Sequence, residues 1–376
     1  MVGGQICPPT VAGSEVGWGS RANGHGVFIR RSAALALVLA LLAAMPAIAR
    51  PAAPGGLPCS GDPGQVHRLD VTIAGVRTWG LYAVPQGKPV GMVAFAHGYG
   101  HTPESWRKHL SDVARREHVI AFAMNYRGSI ERPTVRGWRV AEGASDTIAV
   151  ARRFDAACHP RTVVAYGVSM GGNTSGLAVA AGIRKAKAPN TSGDRPLFDW
   201  WIDVEGAANV VETYQEARSL AASGNAFAVQ ARQDIEAEMG GPFEQRRDVY
   251  LERTVVNRVA DIAASGIGGV VIVHGACDGL VPYDQSRELA TVLRKAGVPV
   301  QFFTVGTKPA GTESGTTLDG YAPVDHDSPF AGHASEASDG HLVGNLGFAR
   351  LHALFQGDRP DHDREVAVDG RSGAST

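Results

Sequence analysis

The period of apolar and polar positions changes several times along the chain, and each change marks an element. From Val66 to Ile73 apolar residues alternate with polar ones, and Thr78 to Val84 is a second strand-like run. Ala74-Gly75 lies between them, so the pair predicts an antiparallel hairpin. Short continuous apolar runs then take over. Gly91 to Ala96, Val119 to Met124, Thr162 to Tyr166, Phe198 to Val204, Gly269 to His274 and Val300 to Val305 each have the length and composition of a strand buried on both faces. Helix-like stretches separate them: Pro103 to Arg116 behind a Thr102 cap, Trp138 to Ala157, Thr174 to Lys185 and Tyr283 to Ala296. Strands alternating with helices imply right-handed crossovers and an α/β fold, with a mostly parallel central sheet flanked by helices. In such sheets, sites form at the carboxyl ends of the strands.

The alternation breaks from about residue 207 to 264. No strand pattern occurs there, but Val210, Val211, Tyr214, Ala217 and Leu220 recur at helical spacing, as do Leu251, Val255, Val259 and Ile262. This stretch reads as a helical cap inserted between two strands. Residues 306–340 form a long Gly/Pro/Ser/Asp loop, and a last helix is expected from about Leu346 to Phe355. The polar tail 357–376 reads as disordered. The main domain therefore spans 66–356, behind an N-terminal extension at 50–65.

Residues 1–49 read differently. Arg30-Arg31 precede an apolar stretch from Ala33 to Ala44, followed by Pro46 and the small-residue site Ala47-Ile48-Ala49. This is the layout of a secretory signal peptide, too short and Ala-rich for a membrane span, with cleavage expected near Ala49 and a secreted or periplasmic product. In that compartment Cys59 and Cys158 could pair, while Cys277, at the end of an apolar strand, reads as a buried thiol. At 44% hydrophobic residues the chain can fill one large core plus a cap. A formal net charge of -1 and the lack of a basic tract argue against nucleic-acid binding.

The sharpest chemical signal is Gly167-Val168-Ser169-Met170-Gly171-Gly172, which directly follows a strand and precedes a helix. A serine on such a strained turn has its hydroxyl pushed out of the sheet, and residues two before and two after it are squeezed together, so both must lack a Cβ. On this motif in this context, residues 66–356 resemble the α/β-hydrolase fold family. The Gly-x-Ser-x-Gly-Gly form with Met after the serine is similar to secreted bacterial esterases, lipases and prolyl-oligopeptidase-like serine hydrolases.

The resemblance implies further roles. His97-Gly98-Tyr99-Gly100, after the first buried strand, resembles the family's oxyanion loop, so the N–H groups of Tyr99 and Met170 are the expected oxyanion donors. Asp278, in Gly275-Ala276-Cys277-Asp278-Gly279-Leu280-Val281-Pro282, resembles the family's acid, with Asp203 and Glu205 after the preceding strand as rivals. The base falls among His326, His333 and His341. His341 is preferred for its place beside the final helix, and His333, in Ala-Gly-His-Ala, is the alternative. No cofactor is implied and no metal site has ligand spacing, although the acids of the long loop (Asp319, Asp325, Asp327 and Asp339) could take a loose calcium. The expected activity is acyl transfer on a small-molecule ester, with Trp200-Trp201 either shaping an acyl pocket or packing the core. The rivals are a small prolyl-oligopeptidase-like peptidase and a non-catalytic binding protein of the same fold. The sequence fixes no oligomeric state.

Overall fold

The computed structural model describes residues 57–129, 137–184, 195–276, 278, 280–305, 332–336 and 341–368. The leader, Cys277, His326 and the candidate calcium-binding acids lie outside them. The chain opens with β1 (His67–Ile73) and β2 (Val76–Ala83), an antiparallel pair joined at Ala74 and Gly75. Both turn residues have positive φ (49° and 80°), as a two-residue hairpin turn requires. Then come β3 (Gly91–Ala96), α1 (Arg107–Glu117), β4 (Val119–Met124), α2 (Val140–Cys158), β5 (Thr162–Val168) and α3 (Met170–Ala181). The strands β6 (Ile183–Arg184) and β7 (Arg195–Pro196) make a small separate ribbon. After β8 (Trp200–Val204) the chain forms α4 (Val210–Ala222), α5 (Ala226–Met239), α6 (Arg247–Arg253) and α7 (Val259–Ser265). It returns to the sheet with β9 (Gly269–Gly275), α8 (Tyr283–Lys295), β10 (Val300–Val305), α9 (Leu342–Phe355) and β11 (Arg364–Val368).

The main sheet runs in the order β1-β2-β4-β3-β5-β8-β9-β10-β11. The pairs β1–β2 and β2–β4 are antiparallel, and every other pair is parallel. Every residue of β3, β4 and β9 is buried, because helices cover both faces. On one face, α2, α3, α7 and α8 enclose a core that includes Phe154, Leu177, Ile262 and Leu289. On the other, α1 and α9 enclose Trp106, Leu110, Leu351 and Leu354. Thr102 caps the turn that opens into α1 by accepting the Glu104 N–H. The stretch expected to be a cap holds four α-helices joined by turns and no strand, with Val210, Tyr214, Ala217, Val255, Val259 and Ile262 buried and Leu220 and Leu251 exposed. A disulfide joins Cys59 to Cys158 at the end of α2, with 5.4 Å between their Cα atoms.

The tail is the main departure from the sequence reading. Residues 364–368 form a strand parallel to β10, rather than a disordered segment. Val366 and Val368 pack on the core, while Arg364 and Glu365 face solvent. Two short side chains suffice because β10 supplies the hydrogen-bonding edge. No helix among the described residues is long and apolar enough to cross a membrane.

Candidate active site

Ser169 is the hinge between β5 and α3. Its φ of 58° and ψ of −127° lie in a region that non-glycine residues rarely occupy, a strain of about 1–3 kcal/mol. The surroundings hold it there: its N–H donates to Val204 O (3.0 Å), and its carbonyl accepts from Gly172 N (2.8 Å) and Ala207 N (3.1 Å). The flanking glycines are obligatory. A Cβ on Gly167 would lie 2.1 Å from the Gly171 carbonyl oxygen, and one on Gly171 would lie 2.1 Å from that of Ala96. Met170 is the first residue of α3, so its amide is among the donors that helix geometry leaves without an intrahelical partner.

The acid and one histidine meet at the carboxyl ends of β8 and β9. Asp278 Oδ2 accepts from His333 Nδ1 at 2.6 Å, and both side chains are buried. Asp278 Oδ1 accepts the amides of Leu280 (2.8 Å) and Val281 (3.0 Å), so the Asx turn and the acid role use different oxygens. Burial would raise the Asp278 carboxyl, but the imidazoles of His333 and His274 hold it well below the usual carboxylate range. Burial would likewise depress His333, yet Asp278 and Glu205 outweigh it and lift the ring to about 9. The other ring nitrogen, Nε2, is buried without a hydrogen-bond partner among the described residues.

The structure brings His333 to Asp278, not the preferred His341. His341 is the residue that caps α9; the helix starts four residues earlier than its pattern suggested and fixes the histidine's backbone, whose carbonyl accepts the Asn345 N–H at 2.8 Å. His333 sits in the preceding loop, where it can reach the ends of β8 and β9.

Three neighbours were not assigned these places from sequence. Glu205, at φ 48° just after β8, lies 3.5 Å from His333 Nδ1 and accepts the amides of Gly275 (3.1 Å) and Ala334 (2.6 Å). Burial and the nearby Asp278 push its carboxyl up. His274 is buried with Nδ1 at 2.7 Å from Ser286 Oγ and Nε2 at 3.0 Å from Val281 O and 3.3 Å from Asp278 Oδ2. Glu336 accepts the Gly98 N–H and pairs with His101. The position of Glu205 after a buried strand, and that of His274 at the end of one four residues before Asp278, were the available signals; nothing local marks Glu336. The rival acid Asp203 is fully buried beneath Gly172 and Gly206, and burial pushes it up to about 7.

In the loop after β3, the Tyr99 hydroxyl donates to Asp234 of α5 (2.7 Å), and its ring packs on Trp138 and Phe227. His97 stacks on Tyr126 with ring centroids 4.0 Å apart, a structural place. Trp201 is buried and donates to Ser175 Oγ (2.9 Å), and Trp200 packs against Gly268, so both tryptophans are core. Glu205, Asp278 and His333 place ligand atoms within 4.8 Å of one another, the one such group among the described residues. The Asp278–His333 hydrogen bond already occupies two of the atoms an ion would need.

No family model matches the sequence, and a search of curated proteins finds no match. The fold does have likenesses among solved structures. An esterase from Pyrobaculum calidifontis is 14% identical with a TM-score of 0.50, over 77% of this chain and 85% of its own. A puromycin-hydrolyzing peptidase from Mycobacterium tuberculosis is 17% identical with a TM-score of 0.50, over 80% of this chain and 40% of its own. An acylaminoacyl peptidase from Pyrococcus horikoshii is 15% identical with a TM-score of 0.50, over 78% and 41%. The chain thus spans about two fifths of the length of these peptidases. At such identities the likeness shows the fold, and the chain has the α/β-hydrolase fold.

Proposed function

We propose that the protein is an exported serine hydrolase that cleaves carboxylic esters through an acyl-enzyme on Ser169. The observation that carries this reading is the buried Asp278–His333 pair, whose second ring nitrogen has no partner among the described residues, in a chain whose Ser169 is held at positive φ on a strand-to-helix bend. In the reaction, His333 Nε2 takes the Ser169 proton as Oγ attacks the carbonyl carbon. Asp278 steadies the imidazolium that forms. The amides of Tyr99 and Met170 receive the negative charge growing on the carbonyl oxygen. His333 then returns the proton to the leaving alcohol, and water, activated by the same ring, releases the acid. Export is supported by the signal-like leader and by the Cys59–Cys158 disulfide, a bond that persists in oxidising compartments.

A fluorophosphonate probe followed by peptide mapping tests the nucleophile. Ser169 is expected to carry the label, His333→Ala to lose it and His341→Ala to keep it. Turnover of p-nitrophenyl esters without turnover of aminoacyl-anilides supports the ester reading, and the reverse replaces it with a peptidase. A label on another residue, or none, removes the serine-hydrolase assignment.

A further inference from the structure

The carboxylate of Glu336 is buried close to Ser169, three residues beyond His333, and the mechanism above does not use it. A buried carboxylate is costly unless its oxygens are satisfied. Here Oε1 accepts the Gly98 N–H and Oε2 pairs with His101 Nδ1. The Glu336 backbone carbonyl faces His109 Nε2 of α1 at 2.8 Å. That ring stacks on Phe348 of α9 with centroids 4.5 Å apart, which fixes the segment from a second side. Gly98 marks the common point. A Cβ there would lie 3.3 Å from Glu336 Oε1 and 3.4 Å from Ser169 Cβ, so carboxylate and serine flank one glycine of the oxyanion loop.

We propose that Glu336 is a positioning residue for the oxyanion loop, gripping the Gly98 amide with one oxygen and the His101 ring with the other. The inference rests on the serine-hydrolase reading of the same site. Its logic is geometric and electrostatic. The bond to the Gly98 N–H fixes the peptide plane between residues 97 and 98, and His97 Nδ1, 3.0 Å from the Gly98 carbonyl, meets the next plane, which carries the Tyr99 N–H. A bare carboxylate this near a developing oxyanion would oppose it, because like charges in a water-poor site repel strongly. His101, with 36% of its side chain exposed, supplies the compensating charge. The other titratable groups felt by Glu336 are His97 and His333 together with the phenols of Tyr126 and Tyr166. His101 faces Glu336 and His333. The hydrogen bond to Glu336 raises the His101 ring above its ordinary value, and His101 in turn holds the carboxyl below its own.

The test compares Glu336→Ala and Glu336→Gln in the full chain, with p-nitrophenyl acetate as substrate and NMR of the His101 ring as a second readout. Glu336→Ala is expected to lower kcat about tenfold or more at unchanged KM, since a displaced oxyanion donor is felt in the transition state. Glu336→Gln keeps an acceptor for Gly98 and is expected to recover kcat to within about threefold of wild type. In both variants the His101 titration midpoint should fall. Wild-type kcat in Glu336→Ala, or an unmoved His101 midpoint in either variant, overturns the proposal. If the alanine variant does not fold, the isosteric glutamine and its His101 midpoint decide. A wild-type protein that neither labels nor turns over rejects the enzyme reading, while the His101 titration still tests the pair.

Discussion

A histidine that accepts a proton from serine must be neutral when substrate arrives. The two carboxylates facing His333 Nδ1 work against that, since each favours the charged ring. With the ring lifted to about 9, turnover is expected to rise with pH on an alkaline-shifted limb as the ring loses its proton. Removing one negative charge must move the limb toward lower pH. Glu205→Gln is expected to do so while keeping the Asp278–His333 bond, and Asp278→Asn to do so while lowering kcat by about 10⁴. A pH–rate profile of Glu205→Gln that superimposes on wild type rejects the shared-carboxylate account. At this scale the sequence was informative wherever the chemistry is local. Gly167, Ser169 and Gly171 occupy one bend, and Asp278 follows directly from a strand end. Which histidine meets Asp278 was ambiguous because a loop histidine is placed by where a long excursion returns, and that depends on helix α9 starting at Leu342. Glu336 was invisible for the same reason: its partner Gly98 comes from a distant part of the chain, whereas His274 stands only four residues before Asp278 and was passed over as part of a buried strand.

Elements were legible where burial imposes a period. The strands β3, β4 and β9 are continuous apolar runs because both faces are covered, and the cap from α4 to α7 shows helical spacing because one stripe faces the core. The hairpin β1–β2 could be read from its turn. β11 was missed because an edge strand covering an existing sheet needs few apolar residues; two valines meet the core while Glu365 pairs with Arg294 at 2.5 Å. This gives the strand a definite task, which is to cover the hydrogen-bonding edge of β10. Deleting residues 364–376 is expected to expose that edge, lowering thermal stability and causing concentration-dependent self-association visible by light scattering. A truncated protein that keeps the wild-type oligomeric state and an unchanged melting temperature means β10 needs no cover.

At the scale of the whole molecule, a covalent constraint joins two described cysteines across the first half of the chain. The Cys59–Cys158 bond spans 99 positions, tying the N-terminal extension to the end of α2 and enclosing β1 through β4 with the loop after β3. Closing a loop of this length removes much of the unfolded chain's freedom, so its effect should appear in stability rather than in the site itself. The Cys59→Ser/Cys158→Ser double variant is expected to lose about 2–4 kcal/mol in denaturant unfolding, and the wild-type protein in reductant to lose a similar amount. Ester turnover without denaturant should stay near wild type, because Ser169, His333 and Asp278 are held by β5, β8 and β9 outside that loop, and the Gly98 amide within it is held by Glu336 from beyond it. The comparison also bears on where the protein works. If oxidised and reduced wild type unfold at the same midpoint, and thiol titration finds Cys59 and Cys158 free, the bridge does not form, and export then rests on the leader alone.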